Sequence, residues 1–519
     1  MFHFITRFVK RLSKLLFSRA FLFSFLVLSQ FGLLFYLVFT ITELSIPIYF
    51  LLYVVNLLFV AYLFRSDTNP MYKLTWVVVI LAIPIFGGVL YFVIGVQRLD
   101  KKMLREYERI RLTSKRFALS NDELASSLTH EYPHLFRQSQ YITRAASQPV
   151  YADTISTYFP TGERYFEALL QELKKAKKFI FLEYFIIREG IMWNDILAIL
   201  REKVRENVEV RLIYDDIGCL FTLPKDYWIQ MNQLGIRTVV FNPLRLRMSV
   251  FINNRDHRKI CVIDGKVAFT GGINLADEYI NEELRFGHWK DTGVMIKGAG
   301  VRSFTLMFLE MWHFANRSEP NDFMVYLPTS TAVAAKKGEL VQPYADDPLD
   351  EKNVAEYTYL NMINQANRYL YITTPYLILD NELITALSLA ASSGVDVRIV
   401  TPGIPDKKMV FYLTQSYYSI LIRNGVKIYQ YKPGFVHAKM FVSDDEVASV
   451  GTINLDYRSL YLHFECGCIF YHSPVVYDVK NDIIQLFDDC ELVTESMLRS
   501  TALWKRLLQS FLRVIAPLM

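Results

Sequence analysis

The sequence predicts an α/β fold built twice: two duplicated domains of mostly parallel sheet flanked by helices, related by a pseudo-twofold axis and preceded by N-terminal transmembrane helices. Two observations carry this reading. The first is a stretch that occurs twice, HRKICVIDGKVAFTGGIN from His257 to Asn274 and HAKMFVSDDEVASVGTIN from His437 to Asn454. His257, Lys259, Asp264, Gly271 and Asn274 recur in register as His437, Lys439, Asp444, Gly451 and Asn454. Matching those four positions after a given His is roughly a one in 10⁵ event at ordinary residue frequencies. The second is a set of three uncharged runs, Phe21 to Thr40, Ile46 to Phe64 and Leu74 to Ile94. Each has the length, about twenty residues, that crosses a bilayer core as a helix.

Taken in order, residues 1–19 are a basic segment and 20–95 hold two or three transmembrane helices. The first run has no small-residue cleavage site and two more long runs follow it, which argues against a removed signal peptide. Basic clusters precede the first run and follow the third, so three spans would place them on opposite sides of the membrane, against the positive-inside rule. Residues 96–145 read as a charged membrane-proximal linker, helical from Arg98 to Arg116. In the first domain, 146–326, the helix Glu163 to Lys177 leads into KFIFLEYFII, a continuous apolar run suited to a buried strand. Two more helices lead to VEVRLIYDD and IRTVVFNP. After a connection at 327–350, rich in turn and small residues, the second domain, 351–497, repeats the order with RYLYITTPYLI, VDVRIVTPG and VKIYQYKP. Each series ends at its His-Lys stretch. The amphipathic tail, 498–519, admits two readings, a helix docked on the body or an interfacial helix lying on lipid.

Composition narrows the partners. A net charge of +5 fits contact with anionic lipid headgroups, and no dense basic run outside the membrane-proximal segments suggests a nucleic-acid groove, so no nucleic-acid partner is expected. The five cysteines lack disulfide or zinc spacing and read as reduced core residues.

The repeated stretch dictates a chemistry. Alternate strand residues share a face, so His257 and Lys259 point together, as do His437 and Lys439. Asp264-Gly265 and Asp444-Asp445 are turn signals, which makes each stretch a hairpin, and Gly271 and Gly451 would let backbone approach what lies over the His-Lys face. His beside Lys without clustered carboxylates or thiolates is a poor divalent-metal site and a good anion site. Phosphoryl transfer on a phosphodiester needs one His to attack phosphorus and another to protonate the leaving oxygen, with no metal and no cofactor. A duplicated domain supplies both, and Lys259, Lys439, Asn274 and Asn454 would hold the nonbridging oxygens. Glu183, mid-strand in an apolar run, is expected paired and close to the site. Asp264 and Asp444, counted with the catalytic set, are expected to act in support. His463 and the other histidines lack the register.

These residues resemble the motif of the phospholipase D superfamily: His-x-Lys, four residues, Asp, six residues, then Gly, Gly/Ser/Thr, x, Asn. Within it the chain is similar to bacterial cardiolipin synthases, through LEYFI, NRDHRK, GGINLADEYI and HWKDT in the first half and TPYL, GTINLDYRSL and HFE in the second. The resemblance implies a multi-pass protein of the bacterial cytoplasmic membrane. It implies a phosphatidyltransferase making cardiolipin and glycerol from two phosphatidylglycerol molecules through a phosphohistidine, with His257 as nucleophile. It also implies that Asp291 and Glu465 orient the imidazoles. Gly293 stands where the family more often has His. A hydrolase using water as acceptor, lipid phosphodiesterase or nuclease, would use the same His pair, and an inactive lipid-binding scaffold is disfavoured because neither copy has lost a motif residue.

Overall fold

The computed structural model describes residues 32, 36, 45–65, 68–83, 87–91, 95, 101–118, 133–243, 253–316, 322–327, 339–350 and 352–518. The chain divides into two compact units, Met1–Arg98 with Leu518, and Leu99–Pro517 with Met519.

In the first unit, helix α1 (Ser45–Phe64) has 20 residues and no Asp, Glu, Lys or Arg. Helix α2 (Pro70–Ala82) starts at Asn69, whose side chain accepts the Met71 N–H, with Pro70 in the first turn where its missing N–H costs nothing. Trp76 and Ile80 pack with Leu63, Leu90 and Tyr91. The run from Leu74 to Ile94, read as one span, is broken. Helix α2 ends at Ile83 (φ −122°, ψ 75°) and a new helix begins at Gly87; Ile83 precedes a proline in the sequence, which disfavours helical geometry. Among the described residues, no helix is long and apolar enough to cross a membrane. The full backbone of α1 would be about 30 Å long. The basic segment 1–19 and nearly all of the run Phe21 to Thr40 lie outside the described residues.

The second unit begins with helices α3 (Lys101–Lys115) and α4 (Pro133–Ala146), the latter inside the stretch read as a linker; residues 119–132 of that stretch lie outside the described residues. The first repeat then supplies β1 (Thr154–Phe159), α5 (Gly162–Lys174), β2 (Phe179–Tyr184), α6 (Ile191–Arg205), β3 (Glu209–Asp215), α7 (Tyr227–Gln233) and β4 (Arg237–Phe241). It continues with β5 (Arg255–Asp256), β6 (Lys259–Ile263), β7 (Val267–Gly271), β8 (His288–Lys290), β9 (Gly293–Gly298) and α8 (Val301–Ala315). The second repeat runs β10 (Leu340–Asp346), α9 (Val354–Gln365), β11 (Tyr369–Thr373), α10 (Asn381–Ser392), β12 (Asp396–Pro402), α11 (Lys408–Arg423) and β13 (Lys427–Tyr431). Then come β14 (Gly434–Val436), β15 (Met440–Ser443), β16 (Val447–Gly451), β17 (His463–Tyr471), α12 (Pro474–Leu486), β18 (Cys490–Leu492) and α13 (Leu503–Ile515).

The two large sheets have the same plan. One orders its strands β1-β9-β7-β6-β2-β3-β4, and the other β10-β17-β16-β15-β11-β12-β13-β18. The sheets are mixed, not mostly parallel. Within the first, only β2-β3 and β3-β4 are parallel, whereas β1-β9, β9-β7, β7-β6 and β6-β2 are antiparallel. The helix-strand alternation that predicts parallel pairing describes only the first half of each repeat. The His-Lys hairpin and the returning strand after it fill the other half with antiparallel neighbours. The two sheets share one core with α8 and α12: Phe181, Ile260 and Val262 of one, Val442, Val450 and Cys466 of the other, Phe308 of α8 and Val476 of α12. Cys219, Cys261, Cys466 and Cys468 are buried thiols and all five cysteines are free. Strand β10, inside the stretch read as an interdomain connection, pairs with β17 along its whole length.

Both hairpins turn as expected, with positive φ at Asp264 (54°) and Gly265 (63°), and at Asp444 (56°) and Asp445 (64°). Their carboxylates face away from the histidines. Asp264 accepts the N–H groups of Lys177, Lys178 and Phe179 at 2.9, 2.7 and 2.9 Å. Asp444 accepts those of Asn367, Arg368 and Tyr369 at 2.6, 2.9 and 2.9 Å. Placing them in a catalytic set is therefore corrected: each ties its hairpin to the entry of the central strand, at the end of β6 or β15 remote from the His. Gly271 and Gly451 are likewise spoken for. A Cβ on Gly271 would lie 2.4 Å from the Thr292 carbonyl oxygen, and one on Gly451 2.6 Å from that of Cys466, so what approaches is the neighbouring strand. Asp264→Ala is expected to lose about 3 kcal/mol of stability in urea unfolding of the detergent-solubilised protein, with turnover per folded molecule within a factor of about two.

Candidate active site

Two short parallel pairings, β5 with β17 and β14 with β8, join the repeats and build the site. Arg255 and Asp256 lie opposite His463 and Phe464, and Phe435 and Val436 opposite Trp289 and Lys290. One residue further along, His257 meets Glu465 and His437 meets Asp291. The His257 N–H donates to the Phe464 carbonyl at 2.9 Å and that of His437 to the Lys290 carbonyl at 2.7 Å. The sequence order pairs Asp291 with the first His and Glu465 with the second; in space they cross. His257 Nδ1 lies 2.9 and 3.0 Å from the two Glu465 oxygens, and His437 Nδ1 lies 2.6 Å from Asp291 Oδ2.

Anchors beneath each pairing hold it. Asp215 accepts from Arg255 Nε at 2.9 Å and from the Asp256 N–H at 3.0 Å, and Lys290 Nζ reaches both Asp482 oxygens at 2.8 Å. The carboxylates are themselves fixed. Asp291 accepts the Thr292 N–H at 2.9 Å, and a Cβ on Gly272 would sit 2.0 Å from Asp291 Oδ1, so the Gly leaves room for it. In the second copy that position is Thr452, whose hydroxyl donates to Glu465.

The lysines complete each half. Lys259 Nζ donates to the His257 carbonyl at 2.6 Å; Lys439 Nζ lies 2.8 and 2.9 Å from the two ring nitrogens of His437 and 2.5 Å from its carbonyl. Aromatic rings wall both imidazoles: Phe185 at 5.0 Å from His257, and Trp289, Tyr279 and Phe435 at 5.2, 5.4 and 5.9 Å from His437. This burial sets the protonation. It holds His257 well below its ordinary range, aided by Lys259, and brings His437 down to about 4, with Lys439 adding to the effect. Burial also draws Lys259 down to about 8, against the pull of Glu465, and Lys439 to about 7, against Asp291. Each imidazole is further depressed by the other repeat's lysine, so the two halves act on one another electrostatically. The two carboxylates differ. Burial lifts both, but His437 and Lys439 outweigh it at Asp291, which falls below its ordinary value, while Glu465 stays well above its own.

Three sequence expectations change. Glu183 pairs across β2 and β6 with Ile260, so it lies on the sheet face opposite Lys259. There it sits 4.0 Å from Arg258 Nη1, and burial and Asp256 hold its pKa well up. Asn274 accepts the Ile186 N–H at 3.0 Å and donates to Tyr279 at 2.7 Å, which makes it a brace between loops. Asn454 is buried too, but its Oδ1 has no hydrogen-bond partner among the described residues, so it does not repeat the brace of the first copy. His463, set aside for lacking the register, belongs to the site: its ring lies 5.5 Å from that of His257 and its Nδ1 3.7 Å from Glu465. The spacing His463-x-Glu465 on a strand, one face by alternation, is the signal that could have found it. His257, His463 and Glu465 each offer a ligand atom within 4.8 Å of the others, a set able to hold a metal ion.

A duplicated α/β sheet pair with a buried His-x-Lys on both sides of one cleft defines an enzyme of the phospholipase D type. The family profile "Cardiolipin synthase, PLD-like domain" matches residues 169–312 and 359–487, and "Phospholipase_D-nuclease N-terminal" matches 54–95. The chain is 33% identical over 463 residues to the cardiolipin synthase of Alkalihalophilus pseudofirmus, covering 88% of this chain and 91% of that one. It is 34% identical over 473 residues to that of a Geobacillus species, covering 89% and 92%. An uncharacterized protein of Streptococcus mutans is 46% identical over 461 residues, covering 89% and 99%. The chain belongs to the cardiolipin synthase family. In fold it is similar to phosphatidylserine synthase of Haemophilus influenzae, with a TM-score of 0.56 at 16% identity over 74% of this chain and 97% of the other.

The opposite shifts of the carboxylates separate their roles. Asp291→Asn removes a charge and is expected to lower turnover about 10²-fold, while Glu465→Gln, replacing a carboxyl already biased to its neutral form, costs no more than about tenfold in initial-rate measurements. An anion at the site favours the charged form of Lys259 and Lys439, so the protein should take up about one proton when a soluble phosphodiester analogue binds at pH 8. Calorimetry in buffers of different ionisation enthalpy reads this directly.

Proposed function

We propose that the protein is a membrane-bound phosphatidyltransferase that converts two phosphatidylglycerol molecules into cardiolipin and glycerol through a phosphohistidine, without a metal. The observation that carries this is the crossed pair of imidazole-carboxylate contacts, which puts two oriented histidines and two lysines in one cleft. His257 Nε2 attacks phosphorus as the P–O bond to glycerol breaks, and His437 gives its proton to that leaving oxygen. The hydroxyl of a second phosphatidylglycerol then returns a proton to His437 and attacks phosphorus. The P–N bond breaks, cardiolipin leaves and both histidines are restored. Asp291, held ionised, suits an imidazolium on His437 and so favours it as acid and base; Glu465, biased to its neutral form, suits a His257 that needs only orientation. Burial favours the neutral form of His437, and an arriving phosphodiester anion raises its proton affinity. Lys259 and Lys439 take the nonbridging oxygens; the braced Asn274 has little left to give them, and Asn454 keeps its place as a candidate contact.

The acceptor must be a lipid alcohol rather than water, and an anchored enzyme meets it at surface concentration. The length and lack of charge of α1 support a span, and a multi-pass anchor in the bacterial cytoplasmic membrane fits the profile match over 54–95.

Purified protein in liposomes with labelled phosphatidylglycerol is expected to form cardiolipin and glycerol in the presence of EDTA. Phosphatidic acid alone would make it a hydrolase, and loss of turnover to EDTA, restored by a divalent ion, would implicate His257, His463 and Glu465 as ligands. His257→Ala and His437→Ala should each lower turnover by more than about 10³-fold, with labelled phosphohistidine accumulating only in the variant that retains the nucleophile.

A further inference from the structure

Helix α13 (Leu503–Ile515) is packed with its apolar stripe outward. Leu503, Trp504, Leu507, Phe511 and Val514 are 72, 62, 64, 60 and 38% exposed, whereas Leu512 is buried. At 100° per residue these five exposed side chains fall within about 100° of one another, the width of the stripe a helix ordinarily turns toward a core. The docked side is the more polar one. Lys505 Nζ stands 4.7 Å over the Tyr412 ring and the Arg513 guanidinium 4.7 Å over that of Tyr417, both on α11. The cations thus hold the helix to the body through the tyrosine rings of α11, and Leu503, Trp504, Leu507 and Phe511 remain mostly exposed.

We propose that α13 is an interfacial helix whose exposed face rests in the headgroup-acyl boundary of an anionic lipid bilayer. Three features favour lipid over a second copy of the chain. No Asp or Glu occurs after Glu495, while Lys505, Arg506 and Arg513 flank the stripe, the charge pattern that complements anionic headgroups. Trp504 opens the helix, an aromatic with an apolar body and a polar N–H suited to the interface. The third is placement. Lys505 and Arg513 contact α11 in the same order as Tyr412 and Tyr417, so the helices run parallel, and α11 begins at Lys408, beside Lys407, whose Nζ stands 5.6 Å over the Tyr376 ring, itself 6.3 Å from Phe435 in the wall of His437. A bilayer on α13 would therefore run alongside the helix whose first residues approach the wall of His437, which shortens the path of a lipid substrate to the site.

The test uses the full chain in vesicles of phosphatidylcholine and phosphatidylglycerol. A bimane label on Leu507→Cys and one on Gln509→Cys are compared for quenching by shallow doxyl lipids. Quenching about threefold stronger at position 507 than at 509 is the expected result. Equal quenching at both, or none at either, overturns the proposal, as does self-quenching between labels at 507 without lipid quenching, which would make the occupant a second copy. The double substitution Leu507→Asp with Phe511→Asp should lower turnover in vesicles about tenfold and leave turnover in detergent micelles unchanged. An equal loss in both media would mean that the stripe serves folding and would also overturn it.

Discussion

Everything at the site depends on two parallel pairings of two or three residues each. By pairing Arg255 and Asp256 with β17, and β14 with β8, the chain sets the backbone of each repeat against the other one residue before the chemistry begins. Parallel register then carries His257 to Glu465 and His437 to Asp291, with no freedom left for either imidazole to find a carboxylate of its own repeat. Neither repeat alone has an oriented His. On the proposed mechanism a single phosphodiester lies between the two histidines, the condition for attack and departure on opposite sides of phosphorus.

The alternation of the strand divides the motif between two faces. His257 and Lys259 face the cleft, while Arg258 between them faces the other way, where its Nε donates to the Glu465 carbonyl at 3.2 Å. Behind it lie Glu183 and Asp256, the latter brought up to about 6 by burial against the opposing pull of Arg258. Tyr107 of α3 is part of the same layer, its ring 5.8 Å from Phe464 and 5.0 Å from Phe314. The face behind the site is thus a buried charged layer that must stay nearly neutral as a group, because unpaired charge in that environment is costly. It fixes the backbone of β5 and β17, and through them the imidazoles.

The duplication, the hairpins, the central strands and the histidine-lysine faces were legible in the sequence because each rests on local spacing: period two for the strands, a turn pair at Asp264-Gly265, a fixed distance from His to Lys. Pairing between repeats has no local signature. Nothing near Asp291 says that its partner lies 146 residues away at His437, and the order of the chain suggests the wrong partner. The same limit explains Glu183. Its place in an apolar run signalled a buried, paired carboxylate, but the face it occupies follows from its register with Ile260, which only the assembled sheet defines. The parallel-sheet expectation failed for a related reason, since the antiparallel half of each sheet is made by the functional hairpin and the strand that returns beside it.

The departures from symmetry carry the remaining information. Gly272 and Thr452 occupy matching positions, yet one opens space for Asp291 and the other donates a hydroxyl to Glu465. A hydroxyl donor to a carboxylate would by itself favour the ionised form. That Glu465 stays high regardless means that burial dominates there, while at Asp291 the adjacent His437 and Lys439 dominate. Lys439 lies against the His437 ring, whereas Lys259 reaches only the His257 carbonyl. One half of a duplicated site therefore sets its lysine against the imidazole ring, and the other sets its lysine on the backbone carbonyl. On the proposed mechanism that is the asymmetry the reaction requires, because the His that shuttles a proton changes charge in every half-reaction and the His that holds phosphorus must present a neutral ring.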